Sequence, residues 1–206
     1  MIWNRIGLAA AAGYLLGTFP TADIVARRSS GGFVDLRKAG SGNPGTANAA
    51  AVLGKKAGAA VLAGDVAKGA LASGVGAVVA GPVGAHIGGT AAVAGHCYPL
   101  WNGFRGGKGV ATSIGQCLAT FPAYFPIDAF VGVATAAMPW WNKRAFTATL
   151  TSSVCWVAGG VVWWRRGLAN GWGPSPTMAL PLAAAASSAI IAERFLAAER
   201  SQPHDG

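Results

Sequence analysis

Apolar positions along this chain form long runs that proline, glycine and pairs of basic residues divide. The segments from Gly69 to Phe104 and from Gly167 to Ala192 contain no Asp, Glu, Lys or Arg. Because a helix needs about 20 mostly apolar residues to cross the hydrocarbon core of a bilayer, these runs predict membrane-spanning helices. We place about seven transmembrane helices, at residues 6–26, 57–79, 83–97, 109–121, 126–140, 145–164 and 177–196.

Proline and glycine define several of these boundaries. Gly81-Pro82 predicts a turn between the second and third spans. Pro122 and Pro126 separate the fourth span from the fifth, although one bent helix over both also fits the pattern. A cleaved signal peptide at the first span is disfavoured, because this span has a single Arg before it and carries Asp23.

The composition supports a membrane protein. Hydrophobic residues make up 52% of the chain and charged residues 11%, whereas soluble domains have roughly 25% charged residues. The apolar content excludes a disordered chain, and three cysteines are too few for a disulfide scaffold. We therefore expect an all-α, polytopic integral membrane helical bundle with a single domain over residues 1–206.

The basic residues predict the orientation in the membrane. One set of loops holds only Arg5, Arg165 and Arg166. Because Lys and Arg accumulate in cytoplasmic loops, we expect the N-terminus outside and the C-terminus in the cytoplasm. This bias also explains the net charge of +9, and nucleic-acid binding is not expected, because no basic stretch alternates with aromatic residues. The opposite, predicted cytoplasmic set contains Arg27, Arg28, Arg37, Lys38, Lys55, Lys56, Arg105, Lys108, Lys143, Arg144, Arg194 and Arg200.

A glycine-rich loop between the third and fourth spans has the chemistry of a phosphate site. Glycines allow backbone N–H groups to converge on an anion, and Lys108 adds a mobile positive charge. Arg105 is suited to bind two oxygens at once, and the next helix brings its N-terminus and the Thr112 hydroxyl to the same place. A flexible basic loop is the structural alternative. The glycines concerned are Gly106, Gly107 and Gly109.

A second polar loop lies between the first and second spans, on the same predicted side. It contains uncharged donors and acceptors among glycines, which suit an acyl or phosphate oxygen, but an ordinary turn at the membrane edge has the same composition. These side chains are Ser41, Asn43, Thr46 and Asn48, next to Gly40.

Three of the ionisable residues in or next to the spans, Asp65, Lys68 and His96, are candidates for a function. Asp65 and Lys68 are three positions apart and share one helix face, and charges inside a membrane are costly enough to suggest function. A structural ion pair fits equally well. His96 precedes the glycine-rich loop and is either a hydrogen-bonding residue of the core or a catalyst. The three cysteines lack metal-ligand spacing, so no metal is expected.

Taken together, these segments resemble the bacterial acyl-phosphate-dependent glycerol-3-phosphate acyltransferase family, PlsY, over nearly the whole chain. The stretch from Gly95-His96 through Phe104 to Thr112 is the most specific part of this resemblance. The other matching segments are Gly13 to Pro20, Asp35-Leu36-Arg37 followed by Gly40-Ser41-Gly42-Asn43, Leu53 to Gly58 and the Asp65/Lys68 pair.

The resemblance implies transfer of a fatty acyl group from acyl phosphate to the sn-1 hydroxyl of glycerol 3-phosphate, giving lysophosphatidic acid and phosphate. It implies Ser41 and His96 as catalytic residues, although a phosphate oxygen of the donor is an equally good base. It requires no cofactor, because acyl phosphate is already activated. The implied substrate-binding residues are Gly40, Asn43, Asn48, Lys68, Arg105, Gly106, Gly107, Lys108, Thr112 and Thr147.

The same resemblance implies a bacterial plasma membrane protein with its active site at the cytoplasmic face. The expected partners are the two small-molecule substrates, membrane lipid and an enzyme that produces acyl phosphate. A small transporter is disfavoured, because its only candidate pathway residues, Asp23, Asp65 and Lys68, all lie near the inner half of the bundle.

The chain departs from the family pattern at several positions. An expected Arg is replaced by Ala51, and an expected Ser by Thr147. Near the C-terminus, Ser188 and Ile191 occupy the places of a His and an Asn when Arg194 is aligned with the family's Arg. These departures leave a second hypothesis open, a non-catalytic paralogue that binds lipid phosphates on the same scaffold.

Overall fold

The computed structural model describes residues 2–30, 34–138 and 144–200, and that part of the chain contains helices and no β-strand. The expectation of an all-α protein is therefore confirmed. A short 3₁₀ turn, Leu100–Asn102, lies in the glycine-rich loop. The helices are α1 (Ile2–Gly17), α2 (Thr21–Ser30), α3 (Thr46–Leu53), α4 (Lys55–Cys97), α5 (Val110–Thr120), α6 (Phe125–Ala137), α7 (Arg144–Arg166) and α8 (Ala179–Arg200).

Four helical segments are long and apolar enough to cross a membrane. Each of these segments contains all or nearly all of one or more of the spans predicted from the sequence. They are Ile2–Ser29, Lys55–Asn102, Ala145–Arg166 and Ala179–Arg200.

The first predicted span is interrupted. The sequence predicted one helix over residues 6–26, but α1 ends at Gly17 and α2 begins at Thr21. The cause is Pro20, which has no N–H and disfavours helical geometry in the residue before it. The Phe19 carbonyl is thereby left outside the helical ladder and accepts a hydrogen bond of 3.2 Å from Lys68 Nζ.

Helix α4 is a hairpin of two helical halves. Ala80 and Gly81 leave helical geometry, and Gly81 adopts a φ of 67°, which favours glycine. Gly76 lies against the Gly84 backbone and Gly88 against that of Ala72, so closely that an added Cβ would overlap a carbonyl oxygen in either place. Earlier residues of the first half thus contact later residues of the second half, so the two halves are antiparallel. The turn between them lies beside Pro82, as predicted.

Helices α5 and α6 are short and separate. With 11 residues, α5 extends roughly 16 Å, about half the thickness of the hydrocarbon core. The residues between Thr120 and Phe125 form the turn to α6, which has 13 residues. The predicted segments 109–121 and 126–140 are therefore two helices and not one bent helix. Residues 139 and 140 of the second segment, like Lys143, lie outside the described residues.

Glycines and a buried polar network hold the bundle together. Gly13 and Gly17 of α1 lie directly against the Gly88 and Ala92 backbone of α4, the close approach that small residues permit in lipid. Deeper in the bundle, Gln116 of α5 hydrogen-bonds Thr90 of α4 and Ser187 of α8, which donates to it at 2.7 Å. This packing fixes the end of α4 beside α5 and α8.

Candidate active site

Both polar loops line one cavity of about 390 Å³. The loop before α3 contributes Ser41 and Asn43, and the loop before α5 contributes Lys108. Asp65 and His96 lie at the same cavity, on the two halves of α4. The two loops therefore meet at one cavity, although α3 and the whole of α4 separate them along the chain.

Asn48 holds the first loop in place. It is buried, and its side-chain amide donates to the carbonyls of Leu36 and Ala39 at 3.0 and 2.9 Å. Its Oδ1 accepts a 2.8 Å hydrogen bond from the backbone N–H of Ser41. Gly40 has a φ of 59° beside that oxygen, where a Cβ would collide with it. Although Asn48 borders the cavity, its hydrogen bonds therefore shape the loop.

The N–H groups of Gly106 and Gly107 do not point at an anion, contrary to the prediction from the sequence. Gly106 donates to the Cys97 carbonyl at 3.1 Å, and Gly107 donates to the His96 carbonyl at 3.2 Å. The last carbonyls of a helix lack helical partners, and these two N–H groups supply them at the end of α4. The glycines allow the loop to pass directly over the His96 ring, since a Cβ on Gly107 would overlap His96 Nε2.

Two arginines that the sequence analysis did not assign to the site fix the second loop. Arg194 of α8 donates to the carbonyls of Gly107 and Gly106 at 3.2 and 2.9 Å. Arg37 donates to the Arg105 carbonyl at 2.9 Å and also forms a two-point ion pair with Asp23. The position of Arg194 within the apolar last span could have marked it as a site residue. The sequence around Arg37 does not indicate its partners, Asp23 and the Arg105 carbonyl.

Lys108 and two helix N-termini give the cavity its positive potential. Gly109, Val110 and Ala111 at the start of α5 line the cavity, as does Thr46 at the start of α3. The first N–H groups of a helix have no helical partner, and its N-terminus favours an anion. Lys108 is half-buried with its Nζ 4.2 Å from the centre of the Phe195 ring, and this burial lowers the pKa of Lys108 below its usual value.

Asp65, Lys68 and His96 form a buried charged group beneath the two loops. Lys68 Nζ lies 2.9 Å from Asp65 Oδ1, and His96 Nδ1 lies 3.5 Å from the same oxygen. Asp65 and His96 also line a smaller cavity of about 20 Å³ on the other side, together with Lys68. The ion pair is thus shared with a histidine, and Asp65 sets the orientation of the ring that reaches the larger cavity.

Seven of the ten predicted substrate-binding residues do not line the larger cavity. Arg105 is exposed, Thr112 is fully buried with its carbonyl packed against Gly69, and Thr147 lies beside the lining residue Ala148 without lining the cavity itself. Gly40 also lies outside the lining, whereas Lys68, Gly106 and Gly107 line the smaller cavity and not the larger one.

The positions that depart from the family pattern hold uncharged side chains, so they do not replace the Arg and the His that the pattern expects. Ala51 is exposed on α3. Ile191 is 2% exposed and packs with Val93, Cys97 and Phe195. The hydroxyl of Ser188 is buried without a hydrogen-bond partner among the described residues.

The described part of the chain contains no cluster of three His, Cys, Asp or Glu side chains suited to a metal ion. The cavity instead offers one mobile cation, two helix N-termini, uncharged polar groups and an Asp-oriented histidine. Such a set can hold a phosphorylated ligand and move a proton.

The chain is similar to glycerol-3-phosphate acyltransferases. The family model described as Glycerol-3-phosphate acyltransferase matches residues 7–195. A glycerol-3-phosphate acyltransferase of Exiguobacterium sibiricum is 50% identical over 113 residues, which are 55% of this chain and 54% of that protein. One from a Thermoanaerobacter species is 38% identical over 158 residues, 77% of each chain. The aligned segment thus spans about half of the first relative and three quarters of the second.

Solved structures show the same architecture. The crystal structure of PlsY (YgiH), an integral membrane glycerol 3-phosphate acyltransferase, in its glycerol 3-phosphate form matches with a TM-score of 0.76 and 27% identity, over 95% of this chain and 90% of that one. Its lysophosphatidic acid form matches with a TM-score of 0.72 and 26% identity, over 92% and 87%. The resemblance drawn from the loops is confirmed: the chain belongs to the glycerol-3-phosphate acyltransferase family of integral membrane enzymes.

Proposed function

We propose that this protein transfers a fatty acyl group from acyl phosphate to the sn-1 hydroxyl of glycerol 3-phosphate, giving lysophosphatidic acid and inorganic phosphate. The observation that carries this proposal is the 390 Å³ cavity, at which Lys108 and the starts of α3 and α5 surround Ser41 and Asn43. Both substrates are phosphorylated, and helix N-termini with a lysine form an anion site. Two solved relatives are described as a glycerol 3-phosphate form and a lysophosphatidic acid form, which supports the acceptor substrate and the product of this reaction.

In the proposed reaction the substrate hydroxyl oxygen attacks the acyl carbonyl carbon. The bond from that carbon to the phosphate oxygen breaks, and phosphate leaves with the electron pair. Lys108 and the α5 N-terminus bind phosphate, while Ser41 and Asn43 orient the acyl phosphate and its developing oxyanion. Holding two anions together against their repulsion supplies much of the rate.

The hydroxyl proton passes to His96 in this proposal. Asp65 lies at His96 Nδ1, which favours a proton on that nitrogen and leaves Nε2 as the acceptor. A phosphate oxygen of the donor is the alternative base. His96→Gln separates the two, because it abolishes turnover only if the imidazole takes the proton.

We propose seven membrane-embedded segments in a single domain, with the N-terminus outside, the C-terminus in the cytoplasm and the cavity at the cytoplasmic face of a bacterial plasma membrane. The two halves of α4, the short helices α5 and α6, α7, α8 and the α1–α2 pair supply these segments. The family match over residues 7–195 supports one domain. Acyl phosphate is amphiphilic and labile, so an enzyme that produces it is the expected partner.

Reconstituted full-length protein tests this function directly. With acyl phosphate and glycerol 3-phosphate it should release lysophosphatidic acid and phosphate in equal amounts. Lys108→Ala should lower kcat by about 100-fold or more, the size of effect that follows loss of one group aimed at developing charge. Lys38→Ala is the matched control, because it removes the same charge from an exposed position outside the cavity. Equal losses in both variants, or no product, would contradict the proposal.

The departures at Ala51, Ser188 and Ile191 favour one second candidate, a paralogue that binds lipid phosphates without turnover. Ile191 places an apolar, buried side chain where the family pattern has a polar one. A non-hydrolysable acyl phosphonate that binds tightly to a protein with no detectable transfer would support this candidate over the enzyme.

A further inference from the structure

A turn between the end of α4 and Lys108 exposes three large apolar side chains. Leu100, Trp101 and Phe104 are 50%, 65% and 54% exposed and lie within five consecutive residues. We name residues 100–104 the apolar turn. Single apolar side chains at a surface need no explanation, whereas a group of them marks an interaction site.

The apolar turn is held in one shape. The backbone N–H groups of Asn102 and Phe104 both donate to the Pro99 carbonyl, at 3.2 and 3.0 Å. Trp101 Nε1 donates to the Thr18 hydroxyl at 2.9 Å. Phe104 adopts a φ of 61°, a left-handed conformation that is unfavourable for a bulky side chain. The structure therefore presents these apolar side chains at its surface at a conformational cost.

The contacts of the apolar turn place it at the edge of the lipid-facing surface. Thr18, the partner of Trp101, directly follows α1. Leu15 and Phe19, on either side of Thr18 in the chain, are 54% and 55% exposed. The second half of α4, residues 82–97, extends roughly 24 Å, which is less than the thickness of the hydrocarbon core. A turn directly after this helix lies at the interface between lipid and water, where tryptophan is enriched.

Cationic side chains flank the apolar turn. Arg105 follows it directly, is exposed and forms no ion pair among the described residues, whereas Arg37 pairs with Asp23. Asp23 also accepts a hydrogen bond of 3.2 Å from Asn102, and the exposed Arg27 lies one helical turn further along α2. A guanidinium can bind two phosphate oxygens at once. Apolar side chains beside unpaired arginines complement a leaflet that contains anionic headgroups.

We propose that the apolar turn inserts into the leaflet on the side of the active-site cavity and that Arg105 binds the phosphate group of an anionic lipid there. This inference rests on the membrane placement in the proposed function, which puts the cavity at a membrane surface. Gly106 and Gly107 connect the turn to Lys108 and are bonded to the end of α4. Lipid that holds the turn therefore restrains the loop that borders the cavity, and anionic lipid should raise the transfer activity.

The depth of the apolar turn is measured with a nitroxide label at Leu100→Cys in full-length protein reconstituted in phosphatidylcholine bilayers with phosphatidylglycerol. Oxygen, which partitions into lipid, should relax this label more strongly than a water-soluble nickel chelate. Arg200→Cys is the matched control at the end of α8, where the chelate should be the stronger. The chain's own three cysteines are buried or half-buried, and the unmodified protein gives their background signal. Stronger relaxation by the chelate at both positions overturns the insertion.

The lipid partner is measured by native mass spectrometry of protein released from the same bilayers. Arg105→Gln should lower the ratio of bound phosphatidylglycerol to phosphatidylcholine by about fivefold, the effect of one basic residue near an anionic surface. Arg200→Gln removes the same charge from the exposed end of α8 and should leave the ratio unchanged. Equal ratios in the unmodified protein and Arg105→Gln overturn the assignment of Arg105.

Neither measurement requires turnover, so a protein without transfer activity contradicts the proposed function and still tests the anchor. In an active protein, phosphatidylglycerol should raise the transfer rate of the unmodified chain, and this response should be smaller in Arg105→Gln. A rate that is independent of phosphatidylglycerol overturns the restraint of the loop by lipid.

Discussion

The two polar loops meet at one cavity but are fixed in different ways. Within the first loop, Asn48 makes three hydrogen bonds to loop backbone groups, and the remaining supports are short backbone bonds and the ion pair of Arg37 with Asp23. The second loop is held by its own N–H groups on the end of α4 and by Arg37 and Arg194 from outside. A polar residue at a cavity is thus not necessarily a ligand for the substrate, and a loop with several independent supports should tolerate the loss of one of them.

Asn48→Ala removes the main side-chain support of the first loop and should have the largest effect. It removes three hydrogen bonds at a buried position, which is about 3 kcal/mol. We expect transfer activity to fall by about 100-fold, through displacement of Ser41. Asn48→Asp keeps the acceptor for the Ser41 N–H and loses the two donated bonds, so it should be intermediate. Steady-state kinetics on protein with a confirmed melting temperature measures both, and an Asn48→Ala variant of normal activity would contradict this assignment.

Gly107→Ala tests the contact between the second loop and His96. The new Cβ meets the buried His96 ring, whereas Gly74→Ala on α4 meets open space. Overpacking of this kind costs about 1–3 kcal/mol, so kcat should fall by about 30-fold in Gly107→Ala and stay unchanged in Gly74→Ala. Equal kinetics in the two variants would show that His96 can move without consequence.

Arg194→Ala tests one of several supports and should have a smaller effect. It removes two hydrogen bonds to loop carbonyls while the bonds to the end of α4 remain. We expect about a tenfold loss, corresponding to about 1.4 kcal/mol. Arg194→Lys should restore part of the activity, because a lysine can bond one carbonyl but not both. A loss greater than that of Asn48→Ala would reverse the comparison between the loops.

Of these variants, Lys108→Arg should have the smallest effect on transfer activity near neutral pH. Its effect should appear in the pH profile of activity at alkaline pH. Burial lowers the pKa of Lys108 below the ordinary value for lysine, about 10.4, so this side chain loses its charge at a lower pH. Activity should therefore decline at alkaline pH before an exposed lysine would titrate. Arginine stays protonated up to about pH 12, and Lys108→Arg should lack this decline. A decline shared by both proteins would assign it to another group.

Several parts of the site followed from local sequence. The glycines around Lys108 indicated a loop that borders the cavity, and Gly81-Pro82 indicated the turn of the α4 hairpin, because each feature depends on the conformations available to neighbouring residues. The break at Pro20 was also readable from its missing N–H, but the apolar run on both sides masked it. The directions of the Gly106 and Gly107 N–H groups were predicted wrongly, because their acceptors belong to the preceding helix end.

The sequence by itself determined the class of protein: an apolar helical bundle with charge restricted to a few loops. The tertiary structure decided which polar groups are available to a ligand. Asn48, Arg37 and Arg194 are used to hold the loops, whereas Lys108 and the start of α5 remain at the cavity. Hydrogen-bond partners far apart in the chain are fixed only when helices pack. Neither composition nor spacing could therefore distinguish the side chains that hold the loops from those that remain at the cavity.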